Sequence, residues 1–305
     1  MTQVNDAETL AGLTTEAADP RWHDLDTLPV AELAQVMNQA DASVPQAVQA
    51  ALPQIVAAID ATAERMAAGG RLIYVGAGTP GRLAILDASE CPPTFSTPPG
   101  LVTAVMAGGW AAVVSAVEGA EDDTEAARRD IDELAVGPLD TVVGIASSGR
   151  TPFVLAAVQR AGQLGALTVG LSCNRRAALS QAVDHAIEVE VGPEVVSGST
   201  RLKAGTAQKL VLNMFSTITM IRLGKTYGSL MIDVKATNHK LRERAIRIVC
   251  LIAQTDRSTA LTALRAADFR VKPAAVMLVR GLSLTEAEAS LDRAQGRLRR
   301  ALEEV

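Results

Sequence analysis

One stretch limits what this chain can fold into more than any other: RLIYVGAGTPGRLAILDASECPPTF, residues 71–95. Leu72 to Val75 is a short β-branched and apolar run, the pattern of a strand buried on both faces. It empties into Gly76-Ala77-Gly78-Thr79-Pro80-Gly81, and Arg82 to Ser89 has the composition of a helix. Strand, glycine turn and helix in that order build an anion site, because free amides at the helix N-terminus point at the ligand. The turn also matches G-x-G-x-x-G, the dinucleotide pattern. That pattern needs a carboxylate further on to hold a ribose hydroxyl. The next strand, LVTAVMAGG, ends in methionine, alanine and glycine. A dinucleotide is therefore disfavoured, leaving phosphate binding or a purely structural turn.

A second loop of the same kind weighs toward phosphate. The strand DTVVGI runs into Ala146-Ser147-Ser148-Gly149-Arg150-Thr151-Pro152 and then a helix. Ser147, Ser148 and Thr151 are hydroxyl donors and helix caps, and Gly149 lets the backbone approach a ligand closely. One such loop is ordinarily a capped helix start. Two of them, each following a parallel strand, can converge on one ligand.

The rest of the pattern fits that frame. Strands are expected at Leu72–Val75, Leu101–Met106, Thr141–Ile145, Ala166–Leu171 and Ala186–Val191. Helices are expected between them at Arg82–Ser89, Ala111–Val117, Thr124–Leu134, Pro152–Leu164 and Ala177–Val183. This alternation predicts an α/β fold with a doubly wound parallel sheet covered on both faces. Ligands in such sheets sit at the carboxyl ends of the strands. Ahead of the sheet, residues 1 to 30 read as an extended arm. Helical spacing then runs from Ala31 to Ala68, interrupted at Pro45. Beyond it a polar loop, GPEVVSGSTRLKAGTAQK, leads into a helix reaching toward Leu223. No strand is evident after Val234, and residues 241–305 read as several helices. Ser283 and Glu286 offer a capping box for the last of them, drawn from Thr285 to the end. The expected organisation is a sheet domain with a helical lead-in at 1–240 and a small all-α domain at 241–305.

Composition narrows the function. A net charge of −5 with no basic cluster argues against a nucleic-acid partner. Three separated cysteines (Cys91, Cys173, Cys250) fit reduced thiols better than a disulfide framework. The three histidines are equally scattered, so no metal-site spacing is present, and no cofactor is expected. The first residues lack a signal-peptide pattern, and no apolar run reaches membrane-spanning length. A cytoplasmic protein with no membrane partner is expected.

Two carboxylates lie downstream of the first glycine turn. Glu90 stands in DASECPPTF, where Pro92 and Pro93 should end the helix. A glutamate at a helix C-terminus faces the negative end of the dipole, which raises its pKa. Glu121 stands in AVEGAEDDTEAARRD, an acidic run whose ordinary reading is the solvated start of the next helix. Sequence physics alone does not single it out.

The segments GAGTPGRLAILDASECPPTF, AVEGAEDD, VVGIASSGRTP, VGPEVVSGSTRLKAGTAQKLVLNM and MIDVKATNHKL together closely resemble the N-acetylmuramic acid 6-phosphate etherases. That family belongs to the sugar isomerase (SIS) domain superfamily and is related to the glucokinase regulatory protein. The resemblance spans nearly the whole chain, from TEAADPRWHDLDTLP onward. It implies a SIS-type fold, a sugar-phosphate substrate, a homodimer, and a carbon–oxygen lyase that releases D-lactate in cell-wall recycling. It places the two catalytic glutamates on Glu90 and Glu121, here assigned as proton donor and base. Phosphate and substrate contacts are assigned to Gly78, Thr79, Ser147, Ser148, Gly149 and Thr151. Glu194, Ser199, Thr200 and Lys203 are secondary candidates.

One residue departs from the family pattern. Gly-Thr-Ser-Gly is usual where this chain has Gly78-Thr79-Pro80-Gly81. Proline removes a hydroxyl and an N–H from the cradle, yet suits the first position of a helix capped by Thr79. Two rivals share the fold: an aldose–ketose isomerase using one carboxylate, and a sugar-phosphate sensor without turnover.

Overall fold

The computed structural model describes residues 12–234, 236 and 238–303. The chain separates into two compact units, Met1–Ser89 with Gly100–Ser216, and Glu90–Pro99 with Thr217–Val305.

The first unit opens with the described part of the arm, which carries short 3-10 turns at Pro20–Trp22 and Leu25–Thr27. The rest of the expected extended arm, residues 1–11, lies outside the described residues. Helices α1 (Val30–Asp41), α2 (Val44–Ala50) and α3 (Leu52–Ala67) follow. Pro45 and Pro53 stand in the first turns of α2 and α3, where no amide hydrogen bond is lost. The stripe Ile55, Ala58, Ile59, Thr62, Ala63 and Met66 of α3 is buried, as its helical spacing requires.

Five parallel strands form the sheet: β1 (Leu72–Gly76), β2 (Val102–Met106), β3 (Thr141–Ile145), β4 (Leu167–Ser172) and β5 (His185–Glu188). Their spatial order is β2-β1-β3-β4-β5. Every residue of β1, β3 and β4 is buried, which explains their unbroken apolar runs. Between them lie α4 (Gly78–Phe95), α5 (Ala111–Val114), α6 (Thr124–Glu133), α7 (Pro152–Gln163) and α8 (Ala178–Gln181), and α9 (Lys203–Arg222) follows β5. One core layer joins Ile73, Val75 and Val142 of the sheet to Phe153, Val154 and Val158 of α7 and Ile131 of α6. At the β5 edge the Glu188 amide donates to Gln54 Oε1 of α3 at 2.9 Å.

Gly76 ends β1 because nothing larger fits. A Cβ there would lie 2.6 Å from the Gly81 nitrogen, and one on Gly81 would lie 2.8 Å from the Gly76 oxygen. The strand end and the first turn of α4 therefore touch backbone to backbone. At the opposite end of the sheet, Asp140 accepts from the Arg71 amide (2.9 Å), Arg71 Nη2 (2.6 Å) and the Gly137 amide (3.0 Å). Burial acts to raise the Asp140 carboxyl. The Arg71 side chain, then the Gly137 and Arg71 amides, outweigh it and hold the carboxyl below the usual carboxylate range. A depressed folded pKa gives stability that is present above the unfolded value and lost as pH falls through the folded one. Asp140→Ala is expected to cost about 1.5–3 kcal/mol at pH 7 in urea unfolding, the range for hydrogen bonds to a charged group. The difference from wild type should narrow toward pH 3. An equal difference at both values would sink the assignment.

The second unit holds a two-residue hairpin, β6 (Thr226–Tyr227) with β7 (Leu230–Met231), and helices α10 (His239–Ala253), α11 (Arg257–Ala266), α12 (Val271–Arg280), α13 (Leu284–Arg293) and α14 (Leu298–Glu303). Its core gathers Ile246, Val249, Leu264, Val276, Leu291 and Leu298. Asn238 caps α10, Asp256 caps α11, and Ser283 with Glu286 forms the expected capping box of α13. The single last helix expected from Thr285 is two. Gln295 (φ 54°) and Gly296 (φ 71°) enter the left-handed region, and the Gly296 amide closes onto the Leu291 oxygen at 2.7 Å. That is a helix ending. The hairpin was not foreseen.

Helix α4 departs most from expectation. It begins at Gly78, so Thr79 and Pro80 lie in its first turn, not at the cap and first position. Pro80 remains harmless there, because the first amides of a helix have no intrahelical acceptor. The helix also continues through Pro92 and Pro93 to Phe95. Both prolines fall in its last turn, where the buried Cys91 and Phe95 anchor it.

Candidate active site

The sheet order reverses between β1 and β3, where chain connections leave in opposite directions, the place at which open α/β sheets bind ligands. Gly76 of β1 pairs with Ile145 of β3. The glycine loop and the serine loop therefore leave the sheet side by side, one strand spacing apart, about 4.8 Å.

The first loop borders a cleft of about 380 Å³ lined by Gly78, Arg82, Met106, Glu118 and Glu121 among others. Gly78 takes a φ of +57°, with open space where a side chain would stand. Glu121 reaches this cleft from a 3-10 turn, Ala120–Asp122, entered through Gly119 at φ 71°. Arg82, one turn into α4, donates to the Val113 oxygen (2.9 Å) and the Ala112 oxygen (2.8 Å). It fastens the segment that carries α5 beside the loop. A cation thus lines the same cleft as Glu121, and nothing in its sequence position announced it.

The second loop is held from several sides. Ser147 is nearly buried, and its carbonyl accepts from the Cys173 amide (2.9 Å) and Asn174 Nδ2 (3.1 Å). Asn174 Oδ1 in turn accepts from Thr14 of the arm, from its amide and its hydroxyl, both at 2.9 Å. Ser148 Oγ accepts from the Arg150 amide at 3.2 Å. Gly149 sits at φ 69°, and a Cβ there would stand 2.3 Å from the Ala177 Cβ. Glycine is required on both counts. Thr151 occupies the N-cap of α7, but its hydroxyl makes no capping bond, contrary to the expected cap. The first-turn geometry is set instead by Pro152.

The start of α9 joins these loops. A Cβ on Gly205 would lie 3.5 Å from the Thr79 methyl and 3.6 Å from the Thr200 oxygen. Gln208, one turn on, donates from Nε2 to Ser147 Oγ at 2.9 Å. Glu194 is buried and caps α9, its two oxygens accepting from the Lys203 and Ala204 amides at 2.9 Å each. Lys203 Nζ donates to the Val191 oxygen at 2.6 Å and lies 5.8 Å from the Trp22 ring centre. Burial lowers its pKa against the pull of Glu194. Both residues have local structural partners. Ser199 and Thr200 stand half-buried just before the helix.

Glu90 falls in the second unit and Glu121 in the first. Glu90 is exposed on α4, five residues before its last residue, Phe95. It is not at a helix end, because the helix runs on through Pro92 and Pro93.

What this first unit defines is a SIS domain. Residues 54–162 match the glucokinase regulatory protein N-terminal SIS domain, and residues 122–218 match the SIS domain. Across the whole chain the likeness is closer. It is 57% identical over 293 residues to the N-acetylmuramic acid 6-phosphate etherase of Streptomyces coelicolor, covering 96% of this chain and 94% of that one. It is 54% identical over 297 residues to the etherase of Rubrobacter xylanophilus (97% and 98% covered), and 52% over 293 residues to that of Mycolicibacterium smegmatis (96% and 98%). The chain belongs to the N-acetylmuramic acid 6-phosphate etherase family.

Proposed function

We propose that this chain cleaves the D-lactyl ether of N-acetylmuramate 6-phosphate, giving N-acetylglucosamine 6-phosphate and D-lactate. The observation that carries this reading is identity above 50% over almost the full length of etherases that are themselves covered almost completely.

In the open-chain sugar the C2 hydrogen is α to the aldehyde and acidic enough for a carboxylate to remove. Glu121 takes that proton. The C3–O bond then breaks, C2 and C3 become doubly bonded, and the departing lactate oxygen receives a proton from Glu90. Water adds to the unsaturated aldehyde, its oxygen to C3 and a proton to C2, which restores the sugar. One acid and one base on such a path each supply rate by holding the right protonation state at the right atom. The phosphate is held by the two loops, through Gly78, Thr79, Ser147, Ser148, Gly149 and Thr151. Their glycine-freed backbones and hydroxyls suit a dianion at the carboxyl ends of β1 and β3. Ser199 and Thr200, at the mouth of α9, supply further polar contacts, with Glu194 and Lys203 behind them.

The chain works in this reading as a cytoplasmic homodimer. Among the described residues no single helix is long and apolar enough to cross a membrane, and no disulfide joins the three cysteines. Exposed Trp110, Val114 and Val117, beside the cleft, are of the kind that partner surfaces cover.

The test is D-lactate release from N-acetylmuramate 6-phosphate by the purified chain. Turnover supports the etherase. Thermal stabilisation by the sugar phosphate without lactate overturns it in favour of a sensor, and ketose formation in favour of an isomerase. Pro80→Ser adds a smaller prediction. One regained hydroxyl contact should lower KM about threefold to tenfold, as for one hydrogen bond. An unchanged KM would mean that position 80 carries no phosphate contact.

A further inference from the structure

Gln208 is fully buried on α9, yet only half of its amide is used. Nε2 donates to Ser147 Oγ at 2.9 Å, while Oε1 is buried without a hydrogen-bond partner among the described residues. An unpaired buried acceptor is costly and uncommon. An apolar side chain of the same length would fill this space without one. Stability therefore does not ask for an amide here, and its N–H has another use.

That use follows from the chemistry of a hydroxyl, which owns one hydrogen and accepts through its lone pairs. With the Gln208 N–H occupying the acceptor side of Ser147 Oγ, the Ser147 hydrogen must point away from α9. The backbone of Ser147 cannot turn to compensate, because its carbonyl is fixed by the Cys173 amide and Asn174 Nδ2. We infer that Gln208 is a positioning residue that presets Ser147 as a donor to a phosphate oxygen of the substrate. The inference rests on the proposed sugar-phosphate reading of the serine loop. It adds a residue that reaches the ligand only through another.

The test uses steady-state kinetics on N-acetylmuramate 6-phosphate with four proteins besides wild type: Gln208→Met, Gln208→Glu, Ser147→Ala and the Gln208→Met/Ser147→Ala double variant. Methionine keeps length and removes the donor. It should raise KM about tenfold, the worth of one well-made hydrogen bond to a charged group, with kcat within about twofold. A loss confined to KM marks lost binding common to ground and transition states. In the Ser147→Ala background the same change should add less than about twofold, because residues acting through one contact are not additive. Glutamate is close in shape, and as a carboxylate it only accepts, drawing the Ser147 hydrogen inward. It should raise KM further than methionine does, and it decides the matter should the methionine variant fail to fold. An unchanged KM in both Gln208 single variants overturns the inference, as does a full tenfold effect of Gln208→Met on top of Ser147→Ala. If wild type itself releases no D-lactate, the failure belongs to the proposed function and not to Gln208.

Discussion

Glu121→Gln is expected to lower the rate of D-lactate release by about 10²–10⁴-fold, the span that one general base supplies. Glutamine keeps the shape and loses the ability to take a proton, so binding of the sugar phosphate should persist. Glu90→Gln should lose lactate release to a similar degree. The two variants separate in heavy water. With Glu121 intact, the C2 hydrogen can still be removed and replaced by deuterium even when the leaving oxygen is not protonated. Glu90→Gln should therefore retain exchange at C2, and Glu121→Gln should lose it. Retained exchange in Glu121→Gln with none in Glu90→Gln would reverse the roles. Full lactate release by either variant would remove that residue from the chemistry.

Gly76→Ala should damage the first unit severely. The added carbon would meet the Gly81 nitrogen at 2.6 Å and the Gly81 Cα at 2.9 Å. Both are backbone atoms of Gly81 in the first turn of α4, so neither can swing aside. Overpacking of this kind typically costs 1–3 kcal/mol and more when backbone must move; about 3 kcal/mol is expected here in chemical unfolding. The loop that carries Gly78 should shift with it, raising KM in whatever fraction stays folded. Gly137→Ala, with nothing within 4 Å of its would-be Cβ, is the matched control. Equal stability of the two variants would show that the junction yields more easily than its contacts imply.

The central strands β1, β3 and β4 are legible in the sequence for a physical reason. A parallel sheet covered on both faces has no polar side, so its strands appear as unbroken apolar runs between glycines and prolines. The capping box at Ser283 is legible too, since its two partners are neighbours in sequence. Helix ends that depend on distant packing are not. Pro92 and Pro93 are strong local stop signals, and α4 passes through them because its last turn buries Phe95. That burial contributes about 1.5–3 kcal/mol and offsets part of the lost hydrogen bonding. The β6–β7 hairpin has two residues in each strand, too few for any alternation to show.

The candidate site divides the same way. Both loops are visible because glycine at φ above zero and serine beside a strand end are local signatures. Arg82 and Gln208 are invisible because their importance lies in what they touch from afar: the Ala112 and Val113 carbonyls in one case, the Ser147 hydroxyl in the other. A glutamine between Ala207 and Lys209 on a long helix reads as an ordinary surface position. A buried amide with one idle end does not.

An edge strand is an open template, and an unguarded one invites other chains to grow onto it. On the β5 side this protein uses a side chain as a stopper. Gln54 takes up the Glu188 amide that an incoming strand would otherwise bind. Sheet-to-sheet growth, whether as a swapped dimer or as the seed of a fibre, is disfavoured along that border. Copies of this chain that meet there must do so through helices.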